Sequence, residues 1–249
     1  MVSDKKPPVH ILVANEIVST EKTFVEQMEI MSLVFISPLR SGKILPATDI
    51  SAIFSNVETL HGLCLKLLND LQKDQEQHRE GGREVGKIFK EFAPFFKMFT
   101  MYLNNYENAI KVKQNLYDSN YVFREFLDHA EQDPRCKGMN LNSYLITPVQ
   151  RVPRYKLLLE ELLKKTPETE GDYALIKEAF ELVKESAKHN NEMIRKREMM
   201  DNMVNVLESF VEGTKLIVDK KEVDLLTPGR EFVKGGQLLK LCRRGPKPF

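Results

Sequence analysis

No run of 18 or more apolar residues occurs in the sequence, so no segment has the length of a membrane-spanning helix. The opening "MVSDKKPPVH" lacks the apolar stretch of a secretory signal. Cysteine is scarce: Cys64, Cys136 and Cys242 are widely spaced, with no C-x-x-C pair. An odd, scattered set suits free thiols in a reducing compartment, and the expected location is cytoplasmic, with peripheral contact to a membrane open. Neither sign of charge predominates, since 37 Lys and Arg face 36 Asp and Glu for a net charge of +1. A nucleic-acid binder shows a clear basic excess, so that partner class is excluded. The near-neutral helical region also argues against a curved membrane-binding bundle, which needs a basic face.

Enzyme signatures are missing too. There is no phosphate-binding glycine loop closed by Gly-Lys, no GxGxxG after a strand, no HExxH and no GxSxG. The five histidines stand apart, with no two at i, i+4, so a helical metal pair is not expected. The sequence calls for no metal and no cofactor.

What is present is helical periodicity. Hydrophobic residues make up 42% of 249, enough for a real core. Val13, Ile17, Thr20, Phe24, Met28, Met31 and Phe35 step by threes and fours, the mark of one long amphipathic helix. Pro38 and "SGK" are expected to mark its exit, and Pro46 and Asp49 the start of a second helix. Phe89, Phe92, Phe96, Phe99, Tyr102 and Tyr106 form a core stripe on a third helix over 84–116, bent at Pro94. A shorter helix is expected over 119–131. A last long one runs over 173–208, with Ile176, Phe180, Val183, Ala187 and Ile194 on one face. Beyond Gly213 the periodicity is gone, and "TKLIV" and "QLLKLC" read as strands. The expected fold is all-α: an elongated bundle of about six long helices with a short strand-like C-terminal tail.

One stretch resists this reading. "LNSYLITPVQRVPRYKLLLEELLKK", residues 141–165, is leucine-rich and helical, yet carries Pro148 and Pro153 near its middle, among Arg151 and Arg154. Proline lacks the ladder N–H and clashes with the preceding turn. A helix that only fills a core gains nothing from two breakers, whereas one that presents side chains at a fixed angle can use a bend. A straight helix through both prolines would count against that idea.

That same stretch closely resembles the third conserved region of Dbl homology domains, the exchange modules that act on Rho-family GTPases. "ANEIVSTEKTFVEQM" resembles the first conserved region, and "SAKHNNEMIRKRE" the late helix that supplies an asparagine. The three occur in the family's order. The resemblance covers residues 8–210, and the remaining 211–249 looks like a linker and the first strand of an incomplete pleckstrin homology domain.

The resemblance implies a guanine-nucleotide exchange factor, with no covalent chemistry, that stabilises the nucleotide-free state of a Rho-family GTPase. Glu16 matches the acidic residue that contacts the first switch. Arg154 matches the basic position, and Asn191 the asparagine, directed at the second switch; Asn190 is the neighbouring alternative. Gln150 is expected at the interface, and Ile146 at a position that reads the GTPase's identity, leaning towards Rac-like partners. Arg151 is expected to tie the proline-containing segment to neighbouring helices. Lys156 departs from the family, which often has proline there. Lys234, Lys240, Arg243, Arg244 and Lys247 form a basic tail that in a complete pleckstrin homology domain would face phosphoinositides. The competing reading is a helical scaffold or adaptor that binds a GTPase or another protein without exchange activity; a lost acid or asparagine would have favoured it.

Overall fold

The computed structural model describes residues 7–78 and 83–208, together with 217–218, 221–222, Val233, 239–242 and 245–248. The chain divides into two units at Met193 and Ile194. The first is all-α. Its helices are α1 (Val9–Ile30), α2 (Ser37–Ser41), α3 (Ala47–Phe54), α4 (Val57–Gln77), α5 (Val85–Phe92), α6 (Phe99–Ser119), α7 (Tyr121–Ala130), α8 (Leu141–Leu145) and α9 (Thr147–Lys165). The last helix, α10 (Tyr173–Glu208), begins where its periodicity predicts and runs to the end of the described stretch.

The expected helices are all present, but several are interrupted. The first runs past Pro38 and ends at Ser41, within the expected "SGK" exit. It continues from α1 through a π-helical segment, Met31–Ile36, into α2. Pro38 falls in the first turn of α2, and the π-helical turn directly upstream is the local adjustment that accompanies its missing N–H. The second helix breaks at Ser55, whose φ is +48°. Asn105 donates to the Ala52 carbonyl at 2.7 Å, and Asn56 donates to the Met98 carbonyl at 3.1 Å. Both bonds come from far along the chain, so no local signal announces the break. The third helix is cut at Pro94, where a 3-10 segment, Ala93–Met98, joins α5 to α6.

The core follows the predicted stripes on the first and third helices, but on α10 only Ile176 and Val183 of the expected face are buried; Phe180, Ala187 and Ile194 are half-buried, and the buried line passes through Ala179, Ser186 and Asn190. On α1, Val13, Ile17, Phe24, Met28, Met31 and Phe35 are buried, the last two in its π extension. The aromatic stripe is buried from Phe89 to Tyr102, while Tyr106 is half-buried. Tyr155 of α9 stacks on Phe96 at 4.8 Å and meets Phe89 edge-on at 5.4 Å. Such pairs add about 0.5–1.5 kcal/mol beyond area burial, and they seat α9 against the aromatic helices.

A polar lock joins α1 to α4. Asp74 accepts from Arg83 Nε at 2.5 Å and from the Glu84 N–H at 2.8 Å. Arg83 and Gln75 both donate to Asn15 Oδ1, at 2.8 and 2.9 Å. The residue beside Glu16 is therefore fixed from two directions.

At the start of α10, Asp172 accepts from the Gly86 and Lys87 N–H groups at 2.7 and 3.3 Å and so caps α5. Burial pushes the Asp172 carboxyl up to about 6, against those two hydrogen bonds, and Asp74 and Glu84 push the same way. The ordinary value is about 3.9, so the native state binds this proton more tightly than the unfolded chain. The stability it contributes is complete below pH 4 and is lost as pH rises through 6. Asp172→Asn keeps an acceptor and removes the titration. Its stability relative to the parent chain is expected to rise between pH 5 and pH 7.5, read by thermal unfolding at both. A difference that stays flat with pH would show that Asp172 titrates as in the unfolded chain.

In the second unit, β1 (Ile217–Val218) pairs antiparallel with β2 (Lys221–Glu222), and β3 (Leu239–Cys242) with β4 (Gly245–Pro248). The strands fall on "TKLIV" and "QLLKLC" as expected, each inside a two-stranded hairpin. Among the described residues, no helix is long and apolar enough to cross a membrane, and no group of three or more His, Cys, Asp and Glu could hold a metal ion.

Candidate functional site

The site starts from the prolines. Residues 141–165 form two helices that meet at Ile146, not one helix with two breakers at its centre. Pro148 lies in the first turn of α9, and Pro153 lies inside it. Pro148 cannot donate to the Tyr144 carbonyl, its ladder partner four residues back. The Thr147 hydroxyl donates to that oxygen at 2.8 Å. The Tyr102 hydroxyl donates to the neighbouring Leu145 carbonyl at 2.8 Å. The Thr147 hydroxyl thus compensates the proline, and Tyr102 of α6 ties the junction to the bundle.

α9 then alternates in a simple way. Gln150 and Arg154 are exposed, whereas Arg151 and Tyr155 are buried. Each pair is spaced i, i+4, and so lies on one face of the helix. The exposed pair shares a groove of about 290 Å³ with Thr20, Thr23 and Gln27 of α1. Glu16 is exposed one turn before Thr20. Among the described residues neither Glu16 nor Arg154 has an ion-pair partner, so both charges face solvent. A carboxylate and a guanidinium left unpaired on one face of two helices can serve a partner protein.

The other expected residues are placed less centrally. Ile146 is half-buried at the α8–α9 junction, and it is not among the residues lining the groove. Lys156 is half-buried on α9. Asn191 is exposed on α10, while Asn190 is buried and accepts from the Thr100 hydroxyl at 2.7 Å. The helix seam is therefore made by Asn190, and Asn191 is the asparagine open to solvent.

Behind the groove lies a feature that sequence reading passed over. Glu21 of α1 is 0% exposed and Arg151 only 4%. Glu21 Oε2 accepts from Arg151 Nε at 3.1 Å and from Nη2 in a second, shorter bond. Glu21 Oε1 accepts from the Tyr155 hydroxyl at 3.0 Å. The Arg151 guanidinium lies over the Tyr155 and Phe24 rings at 4.5 and 5.1 Å. Cys64 of α4 approaches the Tyr155 hydroxyl at 3.8 Å.

The two ends of this pair respond unequally to burial. Burial pushes the Glu21 carboxyl up, with Arg151 pulling against it. At Arg151 burial also works against the charge, but Tyr155 and Glu21 outweigh it and hold the cation. Burial pushes the Cys64 thiol up, which keeps it protonated and unreactive. The signal for Glu21 was in the sequence: it stands between Ile17 and Phe24 on the apolar stripe of α1, where a carboxylate needs a partner. Arg151 does tie α9 to α1, as its motif implied.

Comparisons with known proteins give the family and the fold. The RhoGEF domain family matches residues 13–191. The chain is similar to the myosin-M heavy chain of Dictyostelium discoideum, 31% identical over 235 residues, which is 94% of this chain and 13% of that protein. It is similar as well to human FYVE, RhoGEF and PH domain-containing protein 4, 30% identical over 93% of this chain and 30% of that one. The chain thus spans less than a third of either relative. Its fold is similar to that of the PDZ-RhoGEF DH/PH domains solved in complex with GTP-γ-S-activated RhoA. There the TM-score is 0.80 at 18% identity, over 96% of this chain and 70% of the other. With the family matching most of its helical unit, the chain belongs to the RhoGEF domain family.

Proposed function

We propose that residues 8–210 act as an exchange module that accelerates GDP release and GTP loading on a Rho-family small GTPase. The observation that carries this is the exposed, unpaired set Glu16, Gln150 and Arg154 on the α1–α9 face, within a chain of the RhoGEF family. An exchange factor needs no covalent step. It binds the nucleotide-free GTPase more tightly than the nucleotide-bound one, and that difference is its only lever. Glu16 would draw the first switch from the nucleotide, and Arg154, Gln150 and Asn191 would engage the second. Helices locked by buried polar contacts suit the task, since a yielding surface cannot impose a shape.

Ile146, at the helix junction, is proposed to read the GTPase's identity and to lean towards Rac-like partners. PDZ-RhoGEF, the similar structure, was solved with RhoA, so both belong in the test. Residues 211–249 are proposed to be a linker and the start of a pleckstrin homology domain, with phosphoinositide contact in the complete domain. In the basic tail, Lys240 and Lys247 are register partners on β3 and β4; Lys234, Arg243 and Arg244 lie outside the described residues.

The test is release of a fluorescent GDP analogue from a panel of Rho, Rac and Cdc42-type GTPases. Acceleration of at least one, about tenfold or more, is expected. No acceleration on any of them, with binding retained, would favour a scaffold.

A further inference from the structure

We propose that Glu21 is a positioning residue for exchange: through Arg151 and Tyr155 it sets the rotational phase and register of α9 against α1. The proposal rests on the exchange reading above. Successive residues of an α-helix turn by about 100°. On α9 the buried pair Arg151 and Tyr155 directly follows the exposed pair Gln150 and Arg154. A slip of one position in one sense would carry Gln150 and Arg154 into the buried places of Arg151 and Tyr155, and in the other sense would carry Arg151 and Tyr155 to the exposed places of Gln150 and Arg154.

Apolar packing buries one face of α9, with Pro148, Val152 and the Tyr155 ring in its earlier part and Leu158, Leu159 and Leu162 in its later part, but hydrophobic attraction is non-directional and leaves the exact phase to directional contacts. The earlier part carries Pro148 and Pro153, so two ladder donors are missing from the turns that present Gln150 and Arg154. The Glu21 contacts fall in those same turns. They are directional, they use both carboxylate oxygens, and they reach two residues one turn apart. A buried ion pair contributes little stability over a well-packed apolar pair of similar size. Its presence behind the groove is accounted for by fixing one arrangement over its neighbours.

The test uses the double variant Glu21→Leu/Arg151→Met in the full chain. It is expected to melt at or above the parent temperature. Amide exchange over residues 147–155 should rise about tenfold, and affinity for the nucleotide-free GTPase should fall about tenfold. Affinity for the GDP-bound form should change by less than about twofold. Parent-level amide protection and exchange rate in this folded variant would overturn the proposal. Should the double variant fail to fold, Tyr155→Phe keeps the stack on Phe96 and removes one bond to Glu21. About a threefold loss of nucleotide-free affinity is then expected, and no loss would overturn the proposal. A parent chain without exchange activity would sink the exchange reading, whereas the amide-exchange arm would still show whether the clamp sets α9.

Discussion

Glu16→Ala is expected to slow GTPase nucleotide release by about 100-fold, the order lost when one partner of a desolvated charge pair is truncated, with helical circular dichroism unchanged. The structural part of this expectation rests on exposure. Glu16 is on the solvent side of α1, and its side chain makes no ion pair or hydrogen bond among the described residues, so its removal disturbs no internal contact. The neighbouring fold is held by Asn15 and Glu21, which face inward. Arg154→Ala should behave in the same way, for the same reason.

Asn191→Ala completes the experiment, with a built-in contrast. It should reduce exchange about tenfold and leave stability unchanged. Asn190→Ala should do the reverse. It removes the Thr100 contact in a buried seam, at a cost of about 1 kcal/mol, and should keep most of the activity. Loss of exchange from Asn190→Ala at unchanged stability would reassign the partner contact by one residue.

The sequence made some of this visible and hid the rest for physical reasons. The stripe from Val13 to Phe35 predicts the buried face of α1 because a repeated 3–4 spacing is a local property, and every apolar member of it is buried. The start of α10 was legible too, but its buried line, through Ala179, Ser186 and Asn190, is set by the helices it packs against. The breaks at Ser55 and Ile146 were not legible. They are sustained by Asn105 and Tyr102, which lie 53 and 43 residues away from the carbonyls they satisfy. The exit of the first helix was legible in "SGK", but the π segment that carries the helix past Pro38 was not. Within the site, Glu16, Gln150 and Arg154 look like ordinary solvated side chains on any helix wheel. Only their place in a family motif singled them out, while the shared face and the groove needed the packing of α1 on α9.

Glu21 and Arg151 carry the largest expected stability effect. Arg151→Met should cost about 3–5 kcal/mol, the typical price of leaving a buried charge without its partner. The loss should depend on pH in a definite direction. Burial already raises the Glu21 carboxyl in the intact pair, and Arg151 opposes that rise. Removing Arg151 removes the opposition, so the native state of the variant holds a proton on Glu21 more tightly still. A group whose folded pKa is raised contributes its stability below the unfolded value, near 4.3 for glutamate, and loses it as pH rises through the folded value. The deficit of Arg151→Met should therefore be largest at pH 7.5 and shrink towards pH 5, measured as the shift in urea midpoint. Glu21→Leu in the same background removes the titrating group, so the pH dependence should vanish and the stability return to the parent level or above. A deficit that stays constant with pH would mean that water reaches Glu21 once Arg151 is gone. The carboxylate would then be solvated, and the clamp would be held by packing around the Phe24 and Tyr155 rings more than by charge.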